Sequence, residues 1–168
     1  MTISIRLALP EDYEQVALLI YRSHTESFEP FASSDWVESR DLAEYQAKWK
    51  ELLLEPNTES STWVAVEGSS IIGSVRVAAM PTSSEFDAQL TGMHVLPGRT
   101  GGGIGSKLMT VAQNHMKDQG FAAVQLGVIA SNEGTRRFYE RHGWVLDEEY
   151  DDGIEGVPIV TYQHTPGV

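Results

Sequence analysis

The stretch ISIRLAL, Ile3 to Leu9, alternates apolar and polar residues with the two-residue period of a half-buried strand. PEDYEQVALLIYRSH then changes to helical spacing, with Pro10 in the first turn, where a missing N–H is tolerated. After the loop ESFEPFASSDW, Leu42, Tyr45, Trp49, Leu52 and Leu53 recur at helical intervals in SRDLAEYQAKWKELLLE, and PNTESS predicts its end. TWVAVEG and SIIGSVRVAAM predict a hairpin about Gly68, and FDAQLTGMHVLP a further strand closing at Pro97. Ile104, Leu108, Val111, Ala112 and Met116 mark one face of a helix running from about Ile104 to Gln119. FAAVQLGVIA has the composition of a buried strand, NEGTRRFYERHG predicts a short helix stopped by Gly143, and WVLDEEY with VPIVTYQH predicts a closing strand pair.

The resulting order is β-α-α-β-β-β-α-β-α-β-β. The strand, helix and strand in its middle imply a right-handed parallel crossover flanked by antiparallel hairpins. The expected class is therefore α/β (α+β): a mixed, largely antiparallel twisted sheet of about six to seven strands with about four helices on its faces.

At 168 residues with 41% hydrophobic content, the chain fits one domain, residues 1–168, built around one core. Its sequence has no cysteine, which removes disulfides, thiol nucleophiles and thiolate metal sites. MTISIRLALPED has neither a charged leader region nor a long apolar run, and no segment approaches the ~18 apolar residues of a membrane span. A cytoplasmic protein without a membrane partner is expected.

A net charge of −12 argues against nucleic-acid binding, which depends on Lys and Arg neutralising phosphates. Between Thr91 and Gly143, however, six basic residues face three acidic ones, a local +3 that leaves −15 for the remainder. A basic island of that size suits a phosphorylated small molecule.

At the centre of the island is LPGRTGGGIGSKLM, with Gly101, Gly102, Gly103 and Gly105 at the start of a helix. Glycine costs a helix about 1 kcal/mol relative to alanine, so this cluster implies that bare amides are presented to a partner. Neither the dinucleotide fingerprint G-x-G-x-x-G nor the P-loop G-x-x-x-x-G-K-[ST] fits in any register. Unpaired N–H groups at a helix N-terminus can still cradle a pyrophosphate with help from the helix dipole.

HVLPGRTGGGIGSKLM, followed after one strand by NEGTRRFYERHGW, resembles the GNAT superfamily of acetyl-CoA-dependent N-acyltransferases. The detailed similarity covers about Leu90 to Trp144, with Val95, Pro97, Gly103 and Gly105 matching the first motif and Asn132, Tyr139, Gly143 and Trp144 the second. The family's Gln or Arg position falls on Thr100, with Arg99 one residue early. The resemblance implies the GNAT fold and transfer of an acetyl group from acetyl-CoA to a primary amine, with no metal. It further implies that the pantetheine arm bonds to the strand edge Met93, His94 and Val95. The amides of Thr100, Gly101, Gly102, Gly103, Ile104, Gly105 and Ser106 would hold the pyrophosphate, with Arg99 as a substitute phosphate ligand. Asn132 would contact the pantetheine arm, and Tyr139 would sit near the sulfur as general acid. Their seven-residue separation is close to two helical turns, so both can face one groove.

Family members often place a Glu or His base on the strand before the glycine turn, at positions that correspond here to Thr91 and Gln89. Neither is a base. His94 falls on the opposite parity and is expected on the other sheet face, which leaves Asp87 and Glu85, slightly upstream, as the local candidates for a base, with Asp87 the one chosen. His24, His115, His142 and His164 have no metal-ligand spacing. In this fold the loop between the first two helices lines the acceptor side, so Phe28, Phe31 and Trp36, with Glu26, Glu29 and Asp35 nearby, imply a cationic amine acceptor. Monomer and homodimer both remain open, as do a non-catalytic acyl-CoA-binding module and an unrelated phosphate-binding α/β protein.

Overall fold

A computed structural model describes residues 2–54 and 59–167. Strand β1 (Ile3–Leu7) leads through one 3-10 turn at Pro10–Asp12 into helix α1 (Tyr13–Arg22), which ends in a π-helical turn at Ser23–Ser27. Helix α2 (Ser34–Glu38) and helix α3 (Leu42–Leu54) follow. Then come β2 (Ser61–Glu67), β3 (Ser70–Ala79), β4 (Ala88–Val95), α4 (Ile104–Asp118), β5 (Val124–Ile129), α5 (Glu133–Arg141), β6 (Val145–Ile154) and β7 (Val157–His164). Helix α2 falls in a segment expected to be a loop; the Ser33 side chain caps it by accepting from the Trp36 amide at 3.1 Å. The expected helix end at Glu55 and the first half of the PNTESS stop lie outside the described residues.

The seven strands form one sheet in the order β1-β2-β3-β4-β5-β7-β6. Among the described residues only β4 and β5 run parallel; every other neighbouring pair is antiparallel. This is the mixed sheet with one central crossover expected from the element order.

Helices cover both faces. On one, Val16, Ala17, Leu19 and Ile20 of α1 bury against Trp49 of α3 and against Val64 and Ile71 of the sheet. On the other, Ile104, Leu108, Met109, Ala112 and Met116 of α4 pack on Val75, Val77, Leu90, Val124 and Leu126. Fully burying an aliphatic side chain contributes about 1.5–3 kcal/mol. The helical spacing of the α4 residues thus fixes which side of α4 meets the sheet, and so where its N-terminus lies. The turn into α1 is pinned by Asp12, which is buried. Its carboxylate accepts from the Leu9 amide at 2.7 Å and from both terminal nitrogens of Arg6 at 2.7 and 3.2 Å.

Two departures from regular pairing shape the middle of the sheet. First, β4 and β5 pair only at Ala88–Val124 and Gln89–Gln125 and then diverge, while β5 stays paired to β7 along its whole length. Second, β4 carries a bulge. Ser74 pairs with His94 and Arg76 with Thr91, so Val75 stands opposite two residues, Gly92 and Met93. Gly92 adopts φ +58, and a Cβ there would lie 3.1 Å from the Trp49 ring. Glycine is therefore required both by the backbone and by the close approach of α3.

Candidate active site

Past the last β4–β5 pair the strands open into a cleft of about 780 Å³. One end of the cleft is the turn before α4, the other the π-helical turn after α1, and α5 forms a side wall.

At the turn, Gly103 is the N-cap residue of α4 with φ 81 and ψ 2. No side chain caps this helix, and the amides of Thr100 to Gly103 make no hydrogen bond among the described residues. Together with the unpaired first-turn amides of α4 they form a run of donors at the positive end of a helix dipole. Gly105 has a different task. A Cβ there would meet the Phe138 ring at 3.4 Å and Met93 Cε at 3.6 Å, so its bareness lets α5 and β4 close on α4. Thr100, Gly101, Gly103, Ile104, Gly105 and Ser106 line the cleft, as do Met93, His94 and Val95. Gly102 is not in the wall.

Arg99 reaches the cleft wall, but its guanidinium is held by Glu67, at 2.5 and 3.1 Å. The ion pair holds the Glu67 carboxyl below its usual range. Arg99 thus borders the cleft, with both terminal guanidinium nitrogens bonded to Glu67 at the end of β2. A different cation lines the cleft, Arg141 in the last turn of α5. The Ser106–His142 hydrogen bond, 3.1 Å, sets that end of α5 beside the glycine turn. No motif singles out Arg141; its position follows only from the α4–α5 contact.

Asn132 and Tyr139 both line the cleft, as their spacing requires. Asn132 caps α5 by accepting from the Thr135 amide at 3.3 Å, so it has the capping role as well as a place in the wall. Tyr139 is 6% exposed, with its ring 6.3 Å from Trp144 and 6.4 Å from Tyr162. Its hydroxyl makes no hydrogen bond among the described residues, and burial raises its pKa above the usual phenol value. It stays protonated at neutral pH.

Asp87 is not in the cleft. It precedes β4 at the opposite end from the glycine turn, where its Oδ2 accepts from the Ala122 amide at 2.6 Å and the Ala123 amide at 3.3 Å. It ties the start of β4 to the segment entering β5, and the expectation of a base there fails on geometry.

His94, by contrast, does line the cleft. Parity counted along β4 assigns it to the far face from Thr91 and Gln89, but the bulge at Gly92 and Met93 inserts a residue and puts all three on one face. Its Nδ1 lies 2.8 Å from Ser23 Oγ, and its ring centroid 5.0 Å from that of His24. His24 in turn places Nδ1 2.7 Å from the Tyr45 hydroxyl. Burial lowers both imidazoles, His24 to about 4 with Arg40 and Lys48 adding to the effect, and His94 to about 3 with His24 adding. Both rings are neutral at pH 7. The signal for His94 was an isolated glycine inside a strand, which marks a bulge; His24 had none.

Of the aromatic residues expected on the acceptor side, Phe28 lines the cleft. Trp36 is buried behind it, with ring centroids 6.2 Å apart and planes inclined by 22°, and Arg40 covers the indole at 4.4 Å. Phe31 is not part of the wall. Glu26 pairs outside with Arg22 at 2.7 Å, and Glu29 and Asp35 are exposed. No Asp or Glu lines the cleft among the described residues. A cationic acceptor would therefore find aromatic faces here but no carboxylate.

A sheet split between one parallel pair, with a helix N-terminus at the split, defines the acyltransferase fold that the motifs implied. Residues 19–144 match the Acetyltransferase (GNAT) family, and the chain belongs to that family. Among solved structures, it is similar to the PaiA N-acetyltransferase of Thermoplasma acidophilum in complex with coenzyme A. The TM-score is 0.79 at 22% identity, over 98% of this chain and 100% of that one. It is also similar to an N-acetyltransferase of Staphylococcus aureus Mu50 (TM-score 0.79, 15% identity, 99% of each chain). Salmonella typhimurium YncA with acetyl-CoA gives a TM-score of 0.75 at 15% identity over 99% of this chain and 95% of that one. Identities this low carry the fold alone. Among curated proteins no relative matches. No helix among the described residues is long and apolar enough to cross a membrane.

Proposed function

We propose that this protein is an N-acetyltransferase that moves the acetyl group of acetyl-CoA directly to a primary amine of a small molecule or peptide. The observation that carries this reading is the joint position of the glycine turn, the split between β4 and β5, and the Tyr139 hydroxyl around one cleft. PaiA with coenzyme A and YncA with acetyl-CoA, both of the same fold, support the choice of donor.

On this reading the amides from Thr100 to Ser106 bind the pyrophosphate, as helix N-termini bind phosphate generally, with Arg141 supplying the cation in place of Arg99. The unpaired edge of β4 at Met93 to Val95 offers backbone partners to an extended amide-containing arm, and Asn132 faces the same channel. Acetyl-CoA supplies a thioester, whose acyl carbon accepts the amine. The amine must arrive with its lone pair available, since an ammonium has none. Tyr139 keeps its proton until charge develops on the departing sulfur, then donates to it. Phe28, with Trp36 stacked behind it, forms a wall of the acceptor end; Phe31 remains outside.

Thiol release from acetyl-CoA across a panel of simple amines, amino acids and short peptides tests the reading. The expected result is release that requires both acetyl-CoA and an amine. Stabilisation by a mononucleotide but not by CoA in a thermal melt would overturn it.

A further inference from the structure

The glycine turn accounts for only one end of the cleft. At the other end, His24 from the turn after α1 and His94 from β4 sit edge to face with ring centroids 5.0 Å apart, next to Phe28. Each imidazole is anchored through Nδ1, one to the Tyr45 hydroxyl and one to Ser23 Oγ. Each Nε2 is thereby left as the ring nitrogen without a partner among the described residues. Two rings held this way, on different elements, make a built site in the wall of the cleft.

We propose that His24 and His94 are paired proton acceptors for the incoming amine, and that they take this amine uncharged, favouring aryl and other weakly basic amines over alkylammonium ions and polyamines. The inference rests on the acetyltransferase reading and names the acceptor class of the same site.

Two properties of the surroundings argue for the uncharged form. His94 has the neutral ring of His24 beside it, and the charged groups that act on the pair are cations, Arg40 and Lys48, both bearing on His24. Tyr45, on α3, is the other titratable group bonded to it. With no Asp or Glu in the cleft wall among the described residues, an ammonium entering there finds no counter-charge. Buried charge without a partner is strongly disfavoured. Neutral imidazoles of low basicity also cannot strip a proton from a free alkylammonium, whose pKa is near 10. They can take the proton that the nitrogen sheds as it bonds to the acyl carbon, because nitrogen becomes far more acidic in that bond.

The amine lone pair forms the C–N bond, the C–S bond breaks, and its electron pair goes to sulfur. One N–H proton passes to Nε2 of His24 or His94, and sulfur receives one proton from the Tyr139 hydroxyl. Exchange with solvent returns the imidazole and the phenol to their starting states.

The test has an arm without chemistry. With the protein alone at pH 7, the imidazole Cε1–H resonances of His24 and His94 are followed by NMR on adding aniline and, separately, spermidine. Both resonances are expected to move with aniline and to ignore spermidine. In the kinetic arm, kcat/KM for benzylamine is expected to rise about tenfold per pH unit from about pH 6 to 9, and that for aniline to stay flat. The double variant His24→Gln, His94→Asn is expected to lose about 10²-fold or more with aniline. Tyr45→Phe, a positioning change, is expected to shift the His24 resonance and lower kcat/KM for the amine while leaving CoA affinity unchanged. Melting with CoA checks each variant for a folded donor site.

Spermidine turned over as readily as aniline at neutral pH, or a double variant at the wild-type rate, would overturn the proposal. If CoA stabilises the wild type and the two resonances ignore aniline, this inference alone fails. If CoA does not bind, the acetyltransferase reading fails and takes this one with it.

Discussion

Gly103→Ala isolates the role of the glycine turn. Gly103 adopts φ 81 and ψ 2 as the N-cap of α4, and a Cβ built there meets nothing within 4 Å. The cost of alanine is thus conformational rather than steric, about 1–2 kcal/mol for an L-residue in the left-handed region. Reduced freedom of the unfolded chain returns about 0.4–1 kcal/mol, leaving a net loss of about 1 kcal/mol. For a chain of this length that lowers Tm by about 2–4 °C. Gly102→Ala is the matched control. Gly102 is not left-handed, its Cβ would contact only the Arg99 carbonyl at 3.8 Å, and it lies outside the cleft wall. Alanine there is expected to leave Tm unchanged or slightly raised. Melts with and without CoA read both effects: Gly103→Ala should also lose much of the CoA-dependent rise, because relaxing the strained φ turns the amides at the mouth of α4. Equal Tm values for the two variants, or an intact CoA response in Gly103→Ala, would refute the reasoning.

Tyr139→Phe keeps the buried ring and removes the hydroxyl; kcat should fall about 10²-fold with CoA affinity and Tm preserved, as read by initial rates and melting. Asp87→Asn should leave turnover unchanged and cost about 1 kcal/mol through weakened bonds to the Ala122 and Ala123 amides, seen as a lower urea midpoint. Burial acts to raise the Asp12 pKa, but Arg6 and the Leu9 amide outweigh it and the folded value is depressed. Its contribution is therefore fully present above the unfolded carboxyl value and is lost as pH falls through the folded one. Asp12→Asn should remove about 2 kcal/mol at pH 7, and urea melts should show the difference from wild type shrinking in acid. Arg99→Ala should leave CoA affinity unchanged, because Glu67 already holds the guanidinium; a marked loss by calorimetry would return Arg99 to the phosphate site.

Much of this architecture was legible because it follows from short-range periodicity. The apolar positions of α4, from Ile104 to Met116, lie on one side of a helix whatever they pack against, and so predicted the face that meets the sheet. Asn132 and Tyr139 share a groove because seven residues span about two turns. What could not be read depended on irregularities. One extra residue at Gly92 and Met93 reverses parity along β4, which carried His94 into the cleft against expectation. Asp87 stood near the motif in sequence but at the far end of its strand in space. The partner that bonds Arg99, Glu67, lies thirty-two residues away in sequence. Trp36 and Phe31 were expected on the acceptor side with Phe28; helix α2 buries Trp36 behind Phe28, and Phe31 lies outside the cleft wall.

The central claim is that the cleft transfers an acetyl group to an amine, and mass spectrometry of the amine after incubation with acetyl-CoA tests it most directly. The account predicts an acetylated amine in amounts matching the CoA thiol released, lost in Tyr139→Phe at equal CoA occupancy. CoA binding without acetylated product from any amine tried would contradict it and leave a module that binds acyl-CoA without catalysis.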